Sequence, residues 1–235
     1  DNAFWQKLRN IAALHEVTPT AIFATLYGKV LSEYGNQRGI PLNLTLYNRY
    51  PINEEINNVI GDFTSNMLLD INFTEKTFWE QVTKVQESLW DGVEHRLYEG
   101  VEFVRDIIQY HSLSSQRANM PYILTSILSD DSEVTGWQTF GDVKTGITQT
   151  SQVYIDFQLT ILNDELWAFW DYVSDIYDDK MIHNMFMAVM RTLEAIVNEG
   201  YDEGNLLNEE VEIINRYNNT FWKNAVNNIT ESLYR

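Results

Sequence analysis

Two runs of alternating apolar and polar residues, 152–161 and 165–173, flank the dipeptide Asn163-Asp164. No other feature of the chain constrains its fold as much. Alternation puts every second side chain on one face of a strand, and a short Asx break between two such runs reads as a hairpin. At least one antiparallel pair is therefore required. Helical patterns surround it. Phe4, Leu8, Ile11 and Leu14 recur at helical spacing over residues 3–15. Thr18 as N-cap and Pro19 at the first helical position open a second helix that runs unbroken over 21–34 and stops at Gly35. Phe78, Val82, Val85, Leu89, Val93 and Leu97 predict a third helix over 75–98, capped by Thr74. A shorter helix is expected over 101–110. A long one over 179–198 carries Met181, Met185, Val189, Leu193 and Ile196 on one face.

Between the helices lie further extended segments. PLNLTLYN at 41–48 alternates and reads as a strand, and 59–73 reads as a second, interrupted by Gly61 and Asp62. PYILTSIL at 121–128 reads as a buried strand, and the polar stretch 129–146 as loop or edge. Strands and long helices alternate irregularly around an antiparallel hairpin, so the expected fold class is α/β, a mixed-sheet layered sandwich. Past Gly200 the chain turns acidic and Asn-rich and reads as a linker.

Composition removes several functions. Asp and Glu number 34 against 16 Lys and Arg, a formal charge of −18, and no basic run is present. A phosphate-neutralising groove for nucleic acid is not expected on that balance. There is no cysteine, so disulfides, zinc–thiolate sites and a Cys nucleophile are ruled out; a reducing compartment is allowed but not required by this, and the location expected is cytoplasmic. No apolar run approaches the ~18 residues of a membrane span. The start DNAFWQKLRN has neither an initiator Met nor the regions of a signal peptide, and suggests a piece excised from a larger protein. His15, His95, His111 and His183 are scattered, without partners at ligand spacing, so they read as packing or surface residues and no metal is expected. Nucleophile elbows, P-loops and dinucleotide fingerprints are missing. Four glycosylation sequons, at Asn43, Asn72, Asn218 and Asn228, read as chance in an Asn-rich chain, and most of the seven Trp and thirteen Tyr as core.

Four segments are left over by periodicity. In GDFTSNMLL at 61–69, Gly61 and Asp62 break an apolar strand, as a β-bulge with Asp62 bonded to local backbone would. In PYILTSIL, Thr125 shares its strand face with Ile123 and Ile127, so its hydroxyl needs a partner; backbone would suffice. In TQTSQVYID at 148–156, Asp156 lies on a strand, where aspartate is disfavoured. Covered on both faces, its carboxyl would be desolvated and able to act as a general acid/base near neutrality; on a wet face it is an ordinary strand residue. After thirteen intervening residues, Trp170-Asp171 reads as a core Trp followed by an outward Asp, or as part of a motif.

Taken in order, these segments resemble the heterocyclization domains of non-ribosomal peptide synthetases. That family's signatures include a Thr-Pro-opened helix, G-D-F-T-x-x-L-L, P-V-V-F-T-S-x-L and S/T-Q-T-P-Q-V-x-L-D followed by W-D. Here TPTAIFATLYGKVLSEYG stands at 18–35, LTLYNRYP at 44–51, GDFTSNMLL at 61–69, PYILTSIL at 121–128, TQTSQVYID at 148–156 and WD at 170–171. Ser151 replaces the usual Pro, and Tyr34 stands where Trp is common. The aspartate pair D-x-x-x-x-D, which belongs to the family's first half, is absent, as is that half.

The resemblance implies a lobe similar to chloramphenicol acetyltransferase: residues 1–204 as the C-terminal lobe of a heterocyclization domain, and 205–235 as the linker toward an adenylation domain. It implies that the complete domain joins a carrier-bound acyl donor to carrier-bound Cys, Ser or Thr and closes a thiazoline or oxazoline ring with loss of water. Asp156 (acid/base) and Thr125 (orienting hydroxyl or relay) would be catalytic, Asn48 and Gln152 substrate-binding, and Asp62, Thr64, Trp170 and Asp171 structural. No cofactor would bind directly, since 4′-phosphopantetheine is carried by partner peptidyl or aryl carrier proteins. The N-terminal lobe and the adenylation domain would be the other partners. Competing readings are a non-catalytic carrier-docking or scaffold lobe and an ordinary amide-forming condensation domain.

Overall fold

The computed structural model describes residues 1–112, 120–128, 141, 146–148, 150–162 and 165–198, without the side chain of Asn57. Five strands form one sheet: β1 (Gly39–Tyr47), β2 (Thr64–Asn72), β3 (Tyr122–Ile127), β4 (Ile155–Leu162) and β5 (Glu165–Tyr172), in the order β2-β1-β3-β4-β5. β1 runs antiparallel to β2 and β4 to β5, whereas β3 pairs in parallel with both β1 and β4. Among the described residues the α-helices are α1 (Asn2–Leu14), α2 (Pro19–Tyr34), α3 (Phe78–Glu94), α4 (Gly100–His111) and α5 (Asp179–Asn198). This is the mixed α/β sheet expected from the irregular alternation of patterns.

α2 is the centre of the helical layer. Every residue from Ala21 to Gly28 is buried, because the helix packs on β1 and also against α3 and α5. A helix apolar on all sides has no other stable place. It comes so close to the sheet at Gly28 that a methyl group there would lie 3.1 Å from Ile71 Cδ1 and 3.3 Å from Ile40 Cγ2. Facing α2 are Leu42, Leu44, Leu69, Ile71, Leu124, Ile155, Phe157 and Leu159, all buried. Phe157 meets Phe23, Tyr27 and Trp170 edge-on, with ring centroids 5.9, 5.2 and 5.6 Å away.

Several expected boundaries move. The third helix spans Phe78–Glu94, not 75–98, and its cap is Thr77 rather than Thr74. Thr77 Oγ1 accepts from Glu80 N while Glu80 Oε2 accepts from Thr77 N, a reciprocal capping box that Thr74 cannot form. Leu97 consequently lies outside the helix, 68% exposed. Leu14, assigned to the α1 stripe, is 79% exposed, while Trp5, Leu8 and Ala12 are buried. Gly35 ends α2 in a right-handed conformation (φ −80°), and the left-handed residue is Asn36 (φ 49°). No bulge occurs at Gly61-Asp62: the β1–β2 ladder is unbroken from Tyr47↔Thr64 to Gly39↔Asn72, so those residues precede the strand. In β3 only Ile123 and Leu124 are buried, so it is covered on one part rather than throughout. The first strand of the hairpin starts at Ile155, and Gln152 stands before it in a left-handed turn (φ 64°). The turn Asn163-Asp164, the linker past Gly200 and most of 129–146 lie outside the described residues.

Core and cap should differ sharply in weight. Phe157→Ala is expected to cost about 3–5 kcal/mol and Thr77→Ala about 1 kcal/mol, read as shifts of the urea midpoint. Equal shifts would displace the aromatic cluster from the centre of the core.

Candidate active site

Strand alternation and register decide what the second face of the sheet carries. With Leu44, Leu124 and Phe157 in line toward α2, the opposite face receives Thr45 from β1, Thr125 from β3, Asp156 and Gln158 from β4, and Asp171 from β5. Thr125 lies beside Gln158 in the parallel ladder, and Asp156 lies directly across from Asp171 in the antiparallel one. Two carboxylates, two hydroxyls and an amide thus share one floor.

A third hydroxyl reaches in from outside the sheet. Thr148, in the segment before β4, donates its hydroxyl to Asp156 Oδ2 at 2.7 Å or Asp171 Oδ2 at 3.0 Å, and its backbone N–H to Asp171 Oδ2 at 2.8 Å. Gln158 Nε2 lies 2.6 Å from Thr148 Oγ1, 3.0 Å from Asp156 Oδ2 and 3.2 Å from Asp171 Oδ2. On the other carboxylate oxygen, Thr125 Oγ1 donates to Asp156 Oδ1 at 3.3 Å. Thr45 Oγ1 stands 3.0 Å from Thr125 Oγ1, so when Thr125 donates to Asp156, Thr45 can donate to Thr125. The result is a hydroxyl chain ending on a carboxyl group.

Asp156 is 6% exposed, although it faces away from the helices. Burial raises its carboxyl above the ordinary range; donors from Thr148, Gln158 and Thr125 pull the other way, and the Asp171 charge adds to the rise. Among the described residues no cation pairs with either aspartate. The solvated alternative for Asp156 is therefore excluded, and Thr125 is bonded to side chains rather than backbone. A carboxyl group held toward its neutral form, touching a hydroxyl, can give a proton to a departing oxygen and take one back.

The other expected site residues fall elsewhere. Asp62 Oδ1 accepts from Thr64 N at 2.8 Å in an exposed turn, which lowers its carboxyl and makes it a turn-former. Trp170 belongs to the aromatic core, 5.1 Å from Tyr27 and 5.7 Å from Phe186 between ring centroids. Gln152 is exposed, and its side chain makes no hydrogen bond among the described residues. Asn48 lies just past β1; its N–H donates to Phe63 O at 2.8 Å, while its Oδ1 is buried without a partner. Thr45, Thr148 and Gln158 were not singled out by the sequence, although Gln158 shares the strand phase of Asp156 and Thr148 opens the same motif. No group of His, Asp or Glu among the described residues is arranged to hold a metal ion.

A family model, the condensation domain, matches residues 1–209. The chain belongs to the condensation-domain family. It is 35% identical over 226 residues to bacitracin synthase 1 of Bacillus licheniformis, covering 94% of this chain and 4% of that protein. To phenyloxazoline synthase MbtB of Mycobacterium sp. (strain MCS) it is 31% identical over 199 residues, covering 83% of this chain and 17% of the relative. The fold superposes on the EpoB cyclization-docking bidomain from Sorangium cellulosum with a TM-score of 0.74 at 29% identity, over 85% of this chain and 40% of that one. A nonribosomal peptide synthetase, FmoA3, in its alpha-methyl-L-serine-AMP bound form matches with a TM-score of 0.78 at 26% identity, over 86% of this chain and 23% of that one. The condensation-domain chain thus spans between 4% and 40% of the length of these matches.

The raised carboxyl of Asp156 has a thermodynamic signature. Its folded-state value lies above the unfolded one, so its contribution to stability is fully present below the usual carboxylate range and is lost as pH rises through the folded value. Asp156→Asn removes that dependence. The stability of the variant relative to the wild type is expected to grow with pH across the window that starts at the ordinary carboxylate value and ends at the raised one, measured by urea unfolding at a series of pH values. A difference that does not change with pH would show that Asp156 is not desolvated.

Proposed function

We propose that residues 1–204 are the C-terminal lobe of a heterocyclization domain in a non-ribosomal peptide synthetase, with 205–235 leading toward an adenylation domain. Its reaction joins a carrier-bound acyl donor to a carrier-bound Cys, Ser or Thr and then closes the ring. The observation that carries this reading is the Thr45–Thr125–Asp156 chain on the open face of the sheet. Similarity to a phenyloxazoline synthase and to a cyclization bidomain supports it.

Ring closure proceeds in two balanced steps. The side-chain S–H or O–H adds across the new amide carbonyl; a C–S or C–O bond forms and the carbonyl oxygen takes the proton. That hydroxyl must then leave. Asp156 donates its proton to the oxygen, which departs as water, while the nitrogen gives up its proton as C=N forms, and the Asp156 carboxylate takes it up. One water is lost, nothing is oxidised, and the acid is regenerated. Thr125, supported by Thr45, orients the departing hydroxyl and relays protons. A positioned acid/base of this kind supplies ~10²–10⁴-fold in rate.

Asn48 is assigned to substrate binding, because a buried Oδ1 without a partner can accept from a substrate N–H. Gln152, exposed before β4, fits a contact at the rim of the site. The 4′-phosphopantetheine arm belongs to the peptidyl or aryl carrier partners, which deliver both substrates, and the N-terminal lobe supplies the facing wall.

In the complete synthetase with loaded carriers, Asp156→Ala and Thr125→Ala are expected to accumulate the linear amide, one water heavier than the ring by mass spectrometry. Ring formation by both variants at the wild-type rate would overturn the assignment.

A further inference from the structure

We propose that Asp171 is the positioning residue for Asp156: the two carboxyl groups, directly opposed across β4 and β5 and linked by Thr148 and Gln158, hold one proton between them, and Asp171 carries the negative charge so that Asp156 keeps the proton. This rests on the ring-closing role given to Asp156 above, and assigns it a source of its protonation.

The geometry supports the division of labour. Like charges directly opposite in an antiparallel ladder repel, and no described cation lies between Asp156 and Asp171 to relieve them. A proton shared by the pair relieves it instead, as in other close carboxylate pairs. The two environments then decide where that proton sits. Asp156 is almost fully buried; Thr125 gives its Oδ1 a long hydrogen bond of 3.3 Å, and its Oδ2 depends on the Thr148 hydroxyl and the Gln158 amide, both shared with Asp171. Asp171 is only half-buried and has a donor of its own, the Thr148 backbone N–H at 2.8 Å. A backbone donor cannot rotate away, so the Asp171 carboxylate is held in place opposite Asp156. Among the described residues, β5 contributes the titratable group facing Asp156, Asp171; Tyr27 of α2, whose phenol donates to Ile155 O at 3.3 Å and is held neutral by burial, lies on the other face of the sheet. β1, β3 and the 146–148 segment contribute the hydroxyls of Thr45, Thr125 and Thr148.

Two substitutions with opposite effects separate this role from a merely structural one. Asp171→Asn removes the neighbouring charge and keeps the shape, so Asp156 loses its proton at lower pH. Thr148→Val removes a donor to the Asp156 carboxylate at an exposed position, so Asp156 holds its proton to higher pH. In the complete synthetase with loaded carriers, the ratio of ring to linear amide is followed by mass spectrometry against pH. The alkaline limb of ring closure is expected to move to lower pH in Asp171→Asn and to higher pH in Thr148→Val. At fixed alkaline pH the loss in Asp171→Asn is bounded by the ~10²–10⁴-fold that the acid supplies. Carbon-13 NMR of the Asp156 carboxyl reports the same two shifts without reference to activity.

If both limbs stay at the wild-type pH, or move in the same direction, the pairing is overturned, whereas loss of ring closure in Asp156→Ala would leave the role of Asp156 intact. If Asp156→Ala closes the ring at the wild-type rate, the role of Asp156 fails. The NMR titration then still decides whether the two carboxyl groups share a proton.

Discussion

Leu44, Leu124 and Phe157 lie side by side across β1, β3 and β4 beneath α2, and the polar chemistry of the other face depends on that row. Side chains alternate with a period of two, so a slip of one residue in β4 would exchange Phe157 for Asp156 beneath the helices. Such a slip would expose a buried aromatic, at a cost of about 1.5–3 kcal/mol, and press a carboxyl group against the rings of Tyr27 and Phe23, away from Thr125, Thr148 and Gln158. The register is therefore strongly specified by apolar packing. Thr125 and Asp156 become neighbours as a consequence, whether or not their own hydrogen bond contributes to folding. Holding the site on strands of a packed sheet also fixes it more tightly than a loop would.

How far this was legible in the sequence depended on the range of the interaction. α5 spans the residues its periodicity marks, and Asp156 attracted notice because a strand disfavours it. The Thr77 cap was also legible, since Glu80 stands three residues on, whereas Thr74 has Thr77 at that place. The Asp156–Asp171 pair could have been counted. A two-residue connection puts Leu162 against Glu165, and six pairs further along the same ladder Asp156 meets Asp171. What had no local signal was the role of Thr45, eighty positions before its partner Thr125, and the path by which Thr148 returns over the sheet. Parallel pairing of β1, β3 and β4 leaves no turn to count from, so the register there appears only when the core is assembled. The strand start expected at Gln152 moved for the opposite reason: alternation continues through it, but the backbone turns left-handed before the strand begins at Ile155.

The desolvation of Asp156 has an unusual origin. The helices cover the other face, so the carboxyl group is shielded on its own side by neighbours within the sheet and by Thr148, which is itself exposed. Thr148 acts in two ways at once. It excludes water, which favours the neutral acid, and it donates a hydrogen bond, which favours the carboxylate. Withdrawing it would hydrate Asp156 and remove the donor together, and the two changes oppose one another. Asp171 has no such compensation, because its charge and its claim on the Thr148 and Gln158 donors both favour the neutral form of Asp156. Of the groups around Asp156, the opposed carboxylate is thus the one whose effect has a single sign. A sheet that sets two aspartates opposite each other without a described counter-ion gives up stability at that point, as functional sites commonly do. The core of α2 and the apolar face beneath it offset that cost at a distance, without touching the polar groups, and this separation lets one set of strands serve both purposes.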